Sequence, residues 1–310
     1  SFAVGGTAAD FGDLTVSRTA DSCSNGHGGL AVFDPRAPEL YSPTGKVVPR
    51  GGGVGDIAVI QGNDERINYF QISTLGNSVD FGAMEQTASH GSGVGSSTRT
   101  VRLGVRTPGS TAVVDCAYGT FATKGNFADF GDLTVAASYS NSTGNETRGI
   151  KAGGLAASPG VTDVIEYVTI ASVGNGTDFG NLATASKERN GGQCNSSTRG
   201  LFAGGKDGSD NYLNTIEYVT IGSTGNANDF GDLTAARSYA SLSSSDTRGI
   251  FAGGFTGSHV NTVEYITIAS AGDASDFGDL TVARGAAAAS NNSTRSVFSG
   301  VYDGSNVRDV

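Results

Sequence analysis

The sequence predicts an all-β fold in which short four-stranded sheets repeat around a ring. Three observations lead there. First, one phrase returns along the chain: ADFGDLTVSRT at 9–19, ADFGDLTVAAS at 128–138, NDFGDLTAARS at 228–238 and SDFGDLTVARG at 275–285. Second, its first Asp falls at Asp10, Asp80, Asp129, Asp178, Asp229 and Asp276, in steps of 70, 49, 49, 51 and 47 residues. Third, the intervening text is short β-branched and aromatic runs broken by Gly-, Asn- and Ser-rich turns, the pattern of strands and tight connections.

Other landmarks keep the same beat. A Tyr stands eleven residues before the Asp five times, at Tyr69, Tyr118, Tyr167, Tyr218 and Tyr265, and a Thr-Arg pair recurs with Arg99, Arg148, Arg199, Arg248 and Arg295. Three of these pairs open an apolar run closed by two glycines: RGIKAGG at 148–154, RGLFAGG at 199–205 and RGIFAGG at 248–254. RTVRLGV at 99–105 and RSVFSGV at 295–301 are degenerate copies.

One unit therefore reads as four strands. The first lies in LTVARGAAAAS, the second in TRGIFAGG, the third in NTVEYITIAS and a short fourth around DFGDL, with turns such as FTGSHVN and SAGDAS between them. The third strand shows little polar alternation, as a strand covered on both faces does. About 50 residues in four strands, repeated, is the signature of a β-propeller, in which each blade buries its faces against its neighbours. From Asp276 through Val310 and on to Asp10 is 44 residues, nearly one repeat. NVRDV at 306–310 and SFAV at 1–4 are thus expected to share the third strand of a sixth blade, which removes free sheet edges. The alternative is a chain cut from a longer array. The whole of 1–310 reads as a single domain.

On these residues the chain resembles kelch repeats, in which an apolar strand ends in Gly-Gly and is followed by a Tyr, an aromatic residue and a Leu-x-x-x-Arg segment. Here those roles fall on Gly253-Gly254, Tyr265, Phe277 and Leu280 to Arg284, and on Gly204-Gly205, Tyr218, Phe230 and Leu233 to Arg237. Phe stands where the kelch aromatic is Trp, and some blades lack the Gly pair. The resemblance implies a kelch-like six-bladed propeller with four-stranded blades. The shared residues then have structural tasks. Paired glycines permit positive φ or close backbone approach, and Tyr buries a ring between sheets. The Asp before Phe-Gly accepts bonds from turn amides, and the recurring Arg is expected to reach a neighbouring carboxylate.

Composition narrows the function. A net charge of −10 argues against nucleic acid as the main partner. No apolar run approaches the length of a membrane-spanning helix. Glycine is 48 of 310 residues, but the regular apolar segments argue for order. Cys23, Cys116 and Cys194 form no CxxC pair and read as small buried residues. The DFG triplet matches a metal-binding motif of protein kinases, yet six copies without a catalytic loop describe architecture. GLFAGGKD at 200–207 imitates a phosphate loop without its Ser/Thr and ends a strand. His27, His90 and His259 are scattered, so no zinc or copper centre is expected. Asp10 with Asp13, Asp229 with Asp232 and KDGSDN at 206–211 carry calcium-like oxygens and read as solvated turns. NST at 141–143 and 292–294 fits the glycosylation pattern, one that arises by chance in an Asn- and Ser-rich chain. No catalytic residue, cofactor or metal is assigned.

The rhythm breaks once, at the step of 70 residues. A Pro-rich insertion within about 34–56 holds four of the chain's six prolines, and Arg36, Tyr41, Lys46 and Arg50 mark it as a candidate interaction loop. The phrase TGNA-DFGDLT-AR with STRG-FAGG and NTIEYVTIAS also resembles kelch-like repeats in structural proteins of tailed bacteriophages. That resemblance implies a non-enzymatic virion component: a tail fibre, tail tip or other surface part acting as scaffold or host-surface adhesin. Its partners would be other virion proteins or host-surface glycan or protein, in an assembly that can include several copies. The alternatives are a cellular kelch-type protein-binding module and a propeller enzyme acting on carbohydrate. The enzyme needs a cluster of non-repeating side chains drawn from different blades, and the sequence shows none.

Overall fold

The computed structural model describes residues 20–24, 57–62, 301–302, 307–308 and 65–299, the last without 75, 110, 158–159, 190–191, 286 and 293. These residues form a β-propeller. Blade one pairs Ala20–Ser24, Ile57–Gly62, Arg66–Gln71 and Val79–Ala83 in chain order. Blade two uses Ser92–Gly95, Arg99–Thr107, Thr111–Thr120 and Ala128–Asp132. Blade three uses Asn141–Gly144, Arg148–Ala156, Val161–Thr169 and Thr177–Asn181, with Ala137–Ser138 added beside its second strand. Blade four has Cys194–Asn195, Arg199–Ala203, Thr215–Thr220 and Asn228–Asp232, and blade five has Ser241–Ser244, Arg248–Ala252, Thr262–Thr267 and Ser275–Asp279.

Where six four-stranded blades were expected, the described residues complete five. Between blade five and blade one lies a two-stranded sheet, Ala288–Asn291 with Ser296–Ser299. Ala288 and Val297 pack on Ile60 and Phe70 of blade one, and Phe298 packs with Ile250 and Val263 of blade five. Val301–Tyr302 pairs with Val307–Arg308. The head segment expected to share the sixth blade, Asp10 among its neighbours, lies outside the described residues.

The inner strands are short and small-featured (SGVG, NSTG, SLSS, AASN), and every described residue in them is buried. Blades converge toward the axis, so only small side chains fit there. The expected first strand was too long for the same reason. Among the described residues of LTVARGAAAAS only Ala288 to Ser290 belong to a strand, Ala288–Asn291, and its LTVAR part is a connection.

The DFG phrase forms the outer strand, and the structure shows why it repeats. In blades two to five the turn before the outer strand reaches back to the blade before it. Gly125 N–H donates to Phe81 O (2.7 Å) and Phe127 N–H to Ala83 O (2.9 Å), while the Asn126 side chain accepts from Ala83 N–H (3.0 Å). The same three bonds recur from Gly174, Asn175 and Gly176 to blade two, from Gly225, Asn226 and Ala227 to blade three, and from Gly272, Asp273 and Ala274 to blade four. This covers the edge an outer strand would otherwise leave unpaired. The DFG glycine makes the approach possible. At Gly180 (φ 146°) a Cβ would lie 2.4 Å from the Gly225 carbonyl oxygen. Asp129 Oδ1 accepts from Gly131 N–H (3.1 Å), as expected of an Asp in a tight turn.

The recurring Arg behaves differently from the expectation of a carboxylate partner. Arg148 lies over the Tyr167 ring (4.5 Å) and donates to Ile221 O of blade four (2.8 Å). Arg99 covers Tyr118 and donates to Ile170 O and Ala171 O, and Arg199 covers Tyr218 and donates to Ile268 O and Ala269 O. The register explains this: Arg148 pairs with Thr169, two residues past Tyr167, so both side chains share a face. Carbonyls turned out at the end of the neighbouring strand then lie within reach. Arg295 makes the same contact with Ile72 O and Ser73 O of blade one, 223 and 222 residues away. Blade one has no Thr-Arg pair, and Lys124 covers Tyr69 instead (4.8 Å). In all five blades the Tyr meets the outer-strand Phe edge to face, at 5.8–6.1 Å.

A second set of ties uses buried charge. The third-strand Glu166, Glu217 and Glu264 accept from Thr134, Ala183 and Thr234, each in the connection that leads into the Glu's own blade. Their countercharges arrive by two routes. Arg189 (2.9 Å) and Arg237, both from those connections, pair with Glu217 and Glu264. For Glu166 the connection offers Ala137, and Lys151 on the adjacent strand serves instead (3.8 Å). Lone buried carboxylates would be costly, and each of these is matched.

Candidate functional site at one end of the ring

Two kinds of connection meet at one end of the ring: those from an outer strand to the next inner strand, and those from second to third strand. The bridges Ser89–Arg106, Lys187–Lys206 and Ser238–Phe255 join them. Here the repeat keeps its backbone and changes its side chains. The sixth residue after Met84, Leu133, Leu182 and Leu233 is His90, Tyr139, Glu188 and Tyr239, and all four are left-handed, with φ of 52°, 55°, 59° and 56°. Non-glycine residues held this way cost about 1–3 kcal/mol each and concentrate at functional sites. They point into a shared neighbourhood, since Tyr139 N–H donates to His90 O (3.1 Å) and Tyr239 N–H to Glu188 O (2.9 Å).

The side chains form two groups. In the first, the His90 ring lies on Tyr139, centroids 4.1 Å apart, and His90 Nδ1 is 2.8 Å from Ser89 Oγ. Arg106 donates to the Tyr139 hydroxyl (3.1 Å). Burial, and secondarily Arg106, hold the His90 pKa down to about 4, so the imidazole is neutral at pH 7. In the second, Glu188 pairs with Lys206 (3.0 Å) and bonds the Tyr239 side chain. Burial, then the Glu188 carboxylate, push the Tyr239 phenol well above its ordinary pKa. Lys206 lies over Tyr212 (5.0 Å), Tyr212 adjoins Phe255 (6.2 Å), and Phe255 meets His259 (5.1 Å). The result is a band of half-buried aromatic and charged groups suited to binding. Among the described residues no three His, Cys, Asp or Glu side chains gather as a metal site.

The sequence expected no such cluster, and here it is corrected. The repeat set occupies other ground. The described Asp members (Asp80, Asp129, Asp178, Asp229, Asp276) lie exposed on outer strands, and the Tyr and Arg members lie between blades. Arg36, Tyr41, Lys46 and Arg50 lie outside the described residues. The described strands on either side of the insertion pair with each other from Ala20–Gly62 to Ser24–Ala58. The KDGSDN loop is an Asx turn: Asp207 accepts from Ser209, Asn211 N–H and Asn211 Nδ2, and Asp210 pairs with Lys187 (2.7 Å). Asn141 is buried in an inner strand, which rules it out as a glycan acceptor. Cys116 and Cys194 are buried free thiols, and burial pushes the Cys116 pKa up to about 11.

No protein-family model and no curated protein matches the sequence. Solved structures match by fold. One is YjhT, superimposing with a TM-score of 0.70 over 96% of this chain and 93% of that one, at 8% identity. A likeness at that identity establishes the propeller fold alone.

Proposed function

We propose that this chain is a non-enzymatic, six-bladed kelch-like propeller that serves as a rigid scaffold or host-surface adhesin on a phage particle. The virion setting rests on the resemblance of its repeat phrases. The carrying observation is the division of labour in the ring. Repeated residues are consumed in holding blades together, while single-copy His90, Arg106, Tyr139, Lys206, Tyr212 and Phe255 gather at one end. Half-buried Tyr and Arg side chains are among the groups that dominate binding hot spots. A sixth blade is supported by the sheet between blades five and one, and the Val301–Tyr302 and Val307–Arg308 pairing is compatible with shared closure.

The test is binding of the purified chain to bacterial cells and to a glycan panel. Two variants accompany it: Arg106→Ala with Tyr139→Ala, and 34–53 replaced by a Gly-Ser linker. Circular dichroism first confirms that all fold alike. Binding lost with Arg106 and Tyr139 places the contact at the aromatic end, and binding lost with the linker places it on the insertion. Binding by none of the three defeats the adhesin reading.

A further inference from the structure

The connection entering blade four is longer than its counterparts. From Leu182 to Asn195 is thirteen residues, against eleven from Leu133 to Gly144, Leu233 to Ser244 and Leu280 to Asn291. The extra length shortens the inner strand to Cys194–Asn195 and displaces Gly192 and Gln193. Where they go is recorded in their contacts. Gln193 Nε2 donates to Gly93 O (2.8 Å) in the inner strand of blade two, reaching past blade three. Ser142 Oγ of blade three donates to the same oxygen (2.8 Å), so one carbonyl takes donors from two blades. Gly192 forms a parallel bridge with Leu242 of blade five. A Cβ on Gly192 (φ 86°) would lie 2.0 Å from Leu242 O and 2.7 Å from the Cβ of Ala289, in the sheet between blades five and one. Gln193 is 2% exposed.

We infer that Gly192–Gln193 is an axial brace, a single-copy element that ties the inner strands of blades two and five and the sheet after blade five to blade four. Neighbour-to-neighbour ties leave a ring free to ovalise, and a tie through the axis does not. The brace thus crosses from blade four to inner strands on the far side of its neighbour.

Hydrogen exchange followed by mass spectrometry tests this on the full chain. Gln193→Ala removes one buried hydrogen bond, which corresponds to about fivefold faster local opening. The increase is expected in peptides covering 92–95 as well as in blade four. Gly192→Ala is expected to raise exchange in 241–244 and 288–291 while leaving the outer strands unchanged. Lys187→Ala, in the same connection but outside the brace, should leave all three distant inner strands protected. Faster exchange confined to blade four in Gln193→Ala, or no change there, overturns the inference. Should Gly192→Ala fail to fold, Gln193→Ala alone decides it.

Discussion

The two ends of the ring are made by one repeat and treat it in opposite ways. At the end with the first-to-second-strand turns, side chains do the same work again and again. Ser96, Asn145, Ser196, Ser245 and Asn292 each accept from the Arg N–H three residues on. At the other end the left-handed backbone recurs, but it presents His, Tyr, Glu and Tyr. The difference teaches where a repeat is constrained. Residues that fit against the next blade have one solution, and that solution is copied. Residues that project from a fixed backbone are free to diverge, and divergence among neighbours is what a binding surface requires.

The comparison can be broken or sharpened by substitution, the largest effect coming from the buried ties. Glu264→Ala leaves the Arg237 guanidinium buried beside an empty space and should cost about 3–5 kcal/mol by urea unfolding. Gly180→Ala forces a Cβ against the next blade's turn and should cost about 2–3 kcal/mol. Gly222→Ala, where a Cβ meets nothing within 4 Å, should be near neutral in the same assay. Arg148→Ala loses a charged hydrogen bond and a ring contact, a loss of about 1–2 kcal/mol that Arg148→Lys only partly restores.

The smallest effect belongs to the divergent end and depends on pH. The folded pKa of His90, about 4, lies below its ordinary 6.5, so protonation favours the unfolded chain. The stabilisation from neutral His90 is complete above pH 6.5 and is lost as pH falls toward 4. Unfolding midpoints for His90→Gln should therefore fall less between pH 7 and 4.5 than those of the parent. Equal slopes would mean that the imidazole is more open to water than its packing on Tyr139 indicates.

Much of the architecture was legible because it is periodic. Strand count and order followed from the Tyr, Arg and Gly-Gly spacing, and Gly153 and Gly154 have the positive φ expected of a closing pair (64° and 118°). What failed was the assignment of partners. Arg148 carries a charge, and charge suggested a carboxylate, whereas cross-strand register decided for a ring and a backbone carbonyl. The aromatic end was illegible for a different reason. His90, Tyr139 and Arg106 belong to different phrases of the repeat and meet only when the ring folds. The brace did leave a trace, the step of 51 residues between Asp178 and Asp229. Length alone did not say that two residues would go to the axis.

The bond from Arg295 to Ile72 and Ser73 has a consequence for how the chain comes to be folded. Blades two to five make contacts with the blade before them and can be completed in the order in which they are synthesised. The seam at Arg295 spans more than two hundred residues. Its loop-closure entropy must be met at once, so it is expected to form last and slowly. Until then blade one offers Ala58, Ile60 and Phe70, later buried by Ala288 and Val297, as an uncovered apolar face. A ribosome that stalled before residue 288 would hold a nearly finished ring with a sticky gap.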